Sequence, residues 1–267
     1  MELMLKTVHF ETDLGVAWIK LAAPQKGNVL NPNVMEQLSH SLQEVIGDES
    51  CRVITISAEG SDFCKGIDIE WLSTFSESKA DPEFFRMFVD CLTLIRSTDR
   101  PVIACVEGNV TGGGVGLVAA CDLVLATENV VFMLPEVILG MIPALIAPFL
   151  LRRLTSAQVN YMALSTRGIN TVEAKELGLV DEVATDGMTH TLNRQLQRLF
   201  HSYLPAIIQS KKYFVQLDAQ VLQQQTEIAL NKLTSWLEQP DVLASIKAFN
   251  KGFTPFWFQK YKGRSHA

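Results

Sequence analysis

Residues 110–122 read VTGGGVGLVAACD, and four of the five positions from Gly112 to Gly116 are glycine. Glycine loses more conformational freedom on folding than any other residue, so such a cluster marks a place that side chains must leave clear. PVIACVEG (residues 101–108) before it is strand-like and LVAACD (117–122) after it is helix-like. The glycines therefore sit at a strand-to-helix turn. The first amides of a helix lack intrahelical acceptors and carry the positive end of its dipole, so they suit a phosphate or a developing oxyanion. Neither G-x-G-x-x-G nor G-x-x-x-x-G-K-[ST] is present, which disfavours the phosphate. A tight helix–strand contact is the structural alternative. A second loop, EGSDFCKGIDIEWL (59–72), follows the strand-like RVITISA (52–58) and offers further free amides around Gly66.

Strand-like and helix-like segments alternate over the first 135 residues. KTVHFET (6–12) and VAWIKL (16–21) flank the turn Asp13-Leu14-Gly15. NPNVMEQLSHSLQEVIGD (31–48) has helical apolar spacing after Asn31 or Asn33 as cap, and PEFFRMFVDCLTLIRS (82–97) reads as another helix. LVLATENVVFML (123–134) supplies strand material again. This alternation predicts an α/β core with parallel pairing. From about Ser156 the strands are expected to stop and helices to take over. No Ser/Gly/Pro-rich linker or internal repeat interrupts the chain, so residues 1–200 are read as one core and 201–267 as a helical appendage.

The net charge of −6 argues against nucleic acid as a partner. The five cysteines are odd in number and form no CxxC pair, which fits a reduced, cytoplasmic protein with buried structural thiols. MELMLKTVHFETD lacks the pattern of a signal peptide. Residues 130–151, VVFMLPEVILGMIPALIAPFLL, are long enough for a membrane span but contain three prolines, whose missing donors lipid would penalise. A buried crossing of the core is the better account, and no membrane is expected. It leaves Glu136 as the single charge in apolar surroundings. Such a carboxylate has a raised pKa and serves general acid/base chemistry, unless backbone amides or Arg152 satisfy it. Asp68 is either a helix cap or a second acid/base group. The histidines are scattered, G-x-S-x-G is absent, and no metal-ligand spacing occurs, so neither a nucleophilic nor a metal-assisted mechanism is expected.

FCKGIDIEWL (63–72), GNVTGGGVGLVAACDLVLATENVVFMLPEVILGMIP (108–143) and AKELGLVDEV (174–183) together resemble the crotonase, or enoyl-CoA hydratase/isomerase, superfamily. The resemblance runs from NVLN (28–31) to Val183, with the C-terminal helices matching in character only. It implies a spiral of ββα turns followed by a helical trimerisation region, hence a homotrimer or a dimer of trimers. It also implies an acyl thioester substrate whose enolate is held by the backbone N–H groups of Ile67 and Gly113, with no further cofactor. Gly66 and Gly112 line the same site, and Lys26, Val29 and Lys65 flank the path of the phosphopantetheine arm.

The family's typical hydratases place one carboxylate two residues after the third glycine and a second within the segment matching LPEVILG. Here those positions are Gly116 and Glu136, so only the second acid remains. GGVGLV (113–118) together with ALIAPFLLRRLTSAQVNYMALSTRGI (144–169) is similar to the dehydratases of polyketide β-branching cassettes. These convert a 3-hydroxy-3-methylglutaryl group on an acyl carrier protein to 3-methylglutaconyl. An isomerase or hydratase of CoA thioesters, and a non-catalytic binding scaffold of the same fold, are the alternatives. The substrate's free carboxylate calls for a cation, with Lys65, Arg152 and Arg153 as options. An acidic carrier protein calls for a basic patch, either Lys260, Lys262 and Arg264 or Lys211 with Lys212.

Overall fold

The computed structural model describes residues 6–46, 48–75 and 82–259. Strands β1 (Val8–Asp13) and β2 (Val16–Leu21) form an antiparallel hairpin. Its two-residue turn puts Leu14 and Gly15 at φ 49° and 79°, the left-handed geometry such turns require. The Asn31 side chain accepts the Val34 N–H and starts α1 (Pro32–Ile46), so Asn31 rather than Asn33 is the cap. Val34, Leu38, Leu42 and Val45 form the buried stripe of that helix.

A repeating unit then sets in, a long strand, a short strand and a helix. It runs β3 (Val53–Ala58), β4 (Asp62–Cys64), α2 (Ile69–Leu72) and α3 (Pro82–Ser97). The next turn is β5 (Val102–Val106), β6 (Asn109–Thr111) and α4 (Gly113–Ala120), followed by β7 (Leu123–Ala126) and β8 (Val131–Met133). Each turn gives its long strand to one sheet and its short strand to the other. This is the expected ββα spiral.

The remaining elements are α5 (Ala147–Leu150), α6 (Ser156–Ser165), β9 (Ile169–Asn170), α7 (Thr171–Leu177), β10 (Glu182–Val183), α8 (Met188–His201), α9 (Leu204–Leu237) and α10 (Pro240–Asn250). The six-stranded sheet has the order β1-β2-β3-β5-β7-β10, and the four-stranded sheet the order β4-β6-β8-β9. Strands therefore do not stop at Ser156. Strands β9 and β10 each extend one sheet, but two residues are too few to leave a period in the sequence.

The strand that leads into the glycine cluster is β6 of the smaller sheet, not the longer β5 read from PVIACVEG; likewise β4, not β3, leads into Lys65-Gly66-Ile67. Residues 130–151 divide among β8, a single 3-10 turn (Glu136–Leu139) and α5. Among the described residues no helix is long and apolar enough to cross a membrane.

Lys211 is no surface cation. It is 7% exposed, and its ammonium donates to Arg100 O (2.7 Å) and pairs with Asp122 (2.6 Å), tying α9 to the core. Burial lowers its pKa against the opposing pull of Asp122. The patch expected from Lys211 and Lys212 is thereby withdrawn: Lys212 stands exposed, 3.8 Å from Asp99. Lys260, Lys262 and Arg264 lie outside the described residues.

Candidate active site

Strands β4, β6 and β8 are neighbours and parallel, with Cys64 opposite Val110 and Thr111 opposite Met133. Their carboxyl ends share one edge, and the chain leaving each supplies one piece of the site. These pieces are Lys65–Ile67, Gly112–Gly113 and Pro135–Glu136.

The Ile67 amide is freed by an isolated bridge. The Leu30 N–H donates to Gly66 O (2.8 Å) and the Asp68 N–H donates to Leu30 O (3.0 Å), which is the parallel pattern. In that pattern the residue between the two contacts turns its own N–H away from the partner strand. Gly113 is the first residue of α4, so its N–H has no acceptor within the helix. Neither amide donates to another group among the described residues. The two are close: a Cβ added to Gly113 would lie 3.5 Å from Ile67 N, and one added to Gly66 would lie 3.0 Å from Gly113 N. Gly112, between strand and helix, has φ 53°, and a Cβ there would come within 3.1 Å of Glu136 Oε1. The two glycines farther along meet other walls. A Cβ on Gly114 would be 2.7 Å from Cys64 O, and one on Gly116 would be 2.3 Å from Ile146 Cγ2. The cluster thus divides: Gly112 and Gly113 keep side chains away from Glu136 and the free amides, while Gly114 and Gly116 allow close packing.

Glu136 opens the 3-10 turn and is 9% exposed. Its Oε2 is buried with no hydrogen-bond partner among the described residues, and burial raises its pKa to about 7, partly offset by its own backbone amide. Arg152, the cation considered as its partner, instead bonds Asp218 at 2.6 Å. Arg153 is equally committed, to Asp181 and to the carbonyls of Cys121, Asp122 and Leu179. Neither arginine lines the cavity described next.

A cavity of about 780 Å³ covers this edge, lined among others by Val29, Lys65, Gly66, Ile67, Asp68 and Glu136. Beyond Glu136 a recess of only about 30 Å³ is walled by Phe85, Phe88, Ile142, Leu145, Ile146 and Leu237. Asp68 caps α2, accepting from the Trp71 N–H (3.2 Å) and from Asn31 Nδ2 (3.3 Å). Lys65 is half exposed and pairs with Asp62 at 3.2 Å. Lys26 is not in the lining, but its ammonium lies 3.5 Å from Glu70, which is. All five cysteines are free and buried, and burial pushes the Cys64 thiol up to about 12.

Two contributors have no signature in the sequence reading. Ile146 closes the space beside Gly116. Asn28, at φ 51° and 1% exposed, donates to Glu59 O and Asp62 O (both 2.8 Å) and accepts from the Ala23 N–H (2.9 Å), fixing the mouth loop. An Asn beside a glycine in a polar loop was the available clue.

Residues 11–260 match the family model described as Enoyl-CoA hydratase/isomerase. The chain belongs to that family. Among relatives of this enoyl-CoA hydratase/isomerase family enzyme is the bacillaene synthase dehydratase PksH of Bacillus subtilis, 29% identical over 81% of this chain and 83% of that one. The 2,3-dehydroadipyl-CoA hydratase of Escherichia coli is 28% identical over 93% and 96% of the two chains. The crystal structure of a putative polyketide biosynthesis enoyl-CoA hydratase (pksH) from Bacillus subtilis superimposes with a TM-score of 0.86 at 24% identity, covering 93% of this chain and 98% of that one. An enoyl-CoA hydratase from Bacillus halodurans gives a TM-score of 0.85 at 23% identity over 91% and 100%. The fold of this family member is accordingly the crotonase fold.

Proposed function

We propose that the protein eliminates water from a 3-hydroxy-3-methylglutaryl group on an acyl carrier protein, giving the 3-methylglutaconyl thioester. The observation that carries this reading is one desolvated carboxylate beside two free amides, with Ile146 filling the place of a second acid. Similarity to a dehydratase of bacillaene synthase supports elimination in a polyketide setting.

In the proposed reaction the thioester oxygen lies between the N–H groups of Ile67 and Gly113. Ionised Glu136 takes the proton from the carbon next to the thioester, and the electron pair moves onto that oxygen. Each amide stabilises the resulting enolate by roughly 3 kcal/mol, the typical cost of deleting such a donor. The enolate then re-forms its carbonyl as the bond from the tertiary carbon to its hydroxyl breaks. The leaving oxygen takes the proton from Glu136, departs as water and restores the carboxylate. A pKa near neutrality lets one group act first as base and then as acid. The pantetheine arm occupies the cavity past Val29, with Lys26 and Lys65 at its mouth. The exposed apolar stripe of Tyr213, Phe214, Leu217 and Val221 on α9 supports packing against further copies of the chain, as a trimer.

One observation favours a second reading, an enoyl-CoA isomerase. Among the described residues the inner recess has no cation to receive a distal carboxylate, and Arg152 and Arg153 are engaged elsewhere. Intact-mass spectrometry of 3-hydroxy-3-methylglutaryl carrier protein, incubated with wild type and with Glu136→Gln, separates the two. Loss of one water with wild type alone supports the dehydratase. An unchanged carrier, with a β,γ-enoyl-CoA converted instead, establishes the isomerase.

A further inference from the structure

Glu136 rides on a single 3-10 turn, too short to hold its own shape. Inside the turn the Ile138 N–H donates to Pro135 O (2.9 Å), the Gly140 N–H to Val137 O (3.2 Å) and the Met141 N–H to Glu136 O (3.0 Å). The carbonyls of Ile138 and Gly140 take their donors from far along the chain. Trp236, on the last turn of α9, donates its indole N–H to Gly140 O at 2.7 Å. Trp257, beyond α10, donates its indole N–H to Ile138 O at 3.3 Å. The Trp257 ring also lies flush on Gly140, where a Cβ would meet its Cη2 at 2.6 Å. Two indoles from two separate C-terminal segments thus converge on the one turn that carries the unpartnered carboxylate.

We propose that Trp236 and Trp257 are positioning residues, whose indole N–H groups clamp this turn and so aim the Glu136 carboxylate at the substrate. The inference rests on the acid/base role proposed for Glu136. The clearance is small, since Glu136 Oε1 already lies where a Cβ on Gly112 would approach it to 3.1 Å. A misplacement of about 1 Å costs on the order of a hundredfold in rate in a site of this kind. The C-terminal helices would then tune the reaction through main-chain carbonyls, without touching substrate.

Trp236→Phe and Trp257→Phe keep most of each ring and remove the N–H. The test follows deuterium exchange at the carbon next to the thioester, in a short acyl-CoA and in the 3-hydroxy-3-methylglutaryl carrier protein, with thermal unfolding measured in parallel. Either variant is expected to lower kcat on the order of tenfold with KM unchanged. The acidic limb of the pH profile should move to lower pH, because a loosened turn lets water reach the carboxylate. A merely structural role would shift Tm and leave that limb in place. Phe253→Ala, at an exposed position of the same tail, should behave as wild type. If Trp236→Phe does not fold, Trp257→Phe, on the segment beyond α10, decides. Wild-type kcat and pH profile in the Trp variants, with Glu136→Gln inactive, overturns the clamp alone. Glu136→Gln exchanging as fast as wild type overturns the acid/base reading itself.

Discussion

Ile146 Cγ2 occupies the space where a side chain on Gly116 would begin, 2.3 Å from the Cβ that would be added there. A carboxylate at position 116, the second acid of a two-carboxylate hydratase, is therefore shut out by packing, and the proposed acid/base work falls to Glu136.

The two positions should be energetically coupled. Gly116→Ala alone overpacks the wall and should cost roughly 1–3 kcal/mol. Combined with Ile146→Ala much of that cost should disappear, leaving a coupling energy of roughly 1–3 kcal/mol in a urea-denaturation double-mutant cycle. Additive effects would mean that the wall yields without strain.

Glu136→Gln should lower kcat by roughly 10²–10⁴, the range of a positioned acid/base group. In wild type the base must be ionised, so kcat/KM should rise as pH rises through about 7 and level off above it. A limb near the ordinary glutamate pKa would show that water reaches the carboxylate.

The same group ties stability to pH. Its folded pKa, about 7, lies above the ordinary glutamate value of 4.5, so the folded state holds the proton more tightly than the unfolded chain. That contribution is complete below pH 4.5 and fades as pH rises towards about 7. Glu136→Gln should accordingly be more stable than wild type at pH 8, by roughly 3 kcal/mol, and nearly equal to it at pH 4. Calorimetry at the two pH values reads the difference directly.

Gly66→Ala tests the spacing of the amides. Gly66 has φ 81°, and a Cβ there would come within 2.7 Å of Thr111 O and 3.0 Å of Gly113 N. Stability should fall by roughly 1–3 kcal/mol. Activity should drop further, by about 10²–10³, as the loops separate and a donor is lost. Gly252→Ala, at φ 82° with nothing within 4 Å, carries the backbone strain without the clash and should spare activity.

Lys211→Ala leaves Asp122 without its buried cation and should cost about 3–5 kcal/mol, seen as a lower Tm. A change in carrier-protein affinity with Tm intact would return Lys211 to the surface role first expected of it.

What the sequence disclosed was whatever a residue signals about its own surroundings. The glycine run marked a close approach, and Glu136 stood out as one charge in an apolar stretch. The alternation of strand and helix announced an α/β core with parallel pairing, because fully buried strands such as β5 are continuous apolar runs; the spiral was implied by the family resemblance. Relations between distant segments stayed hidden. Nothing in LRRLTS announces that Arg152 turns to Asp218, and a long amphipathic stretch does not show that Lys211 faces inward. Ile146 read as one more apolar residue, since its meaning depends on a glycine met only in three dimensions. Strands of three residues or fewer, such as β6, are paired by neighbours and not by propensity, which is why the longer β5 was mistaken for the approach to the glycines.

Both donors proposed to face the enolate belong to the main chain, fixed by the Leu30–Ile67 bridge and by the start of α4. Almost any replacement at residue 67 would keep its N–H; only proline removes it outright. On the proposed function, mutation can thus reshape the cavity walls while this pair of donors is inherited unchanged. Descendants of such a chain are free to change substrates long before they lose the ability to hold an enolate.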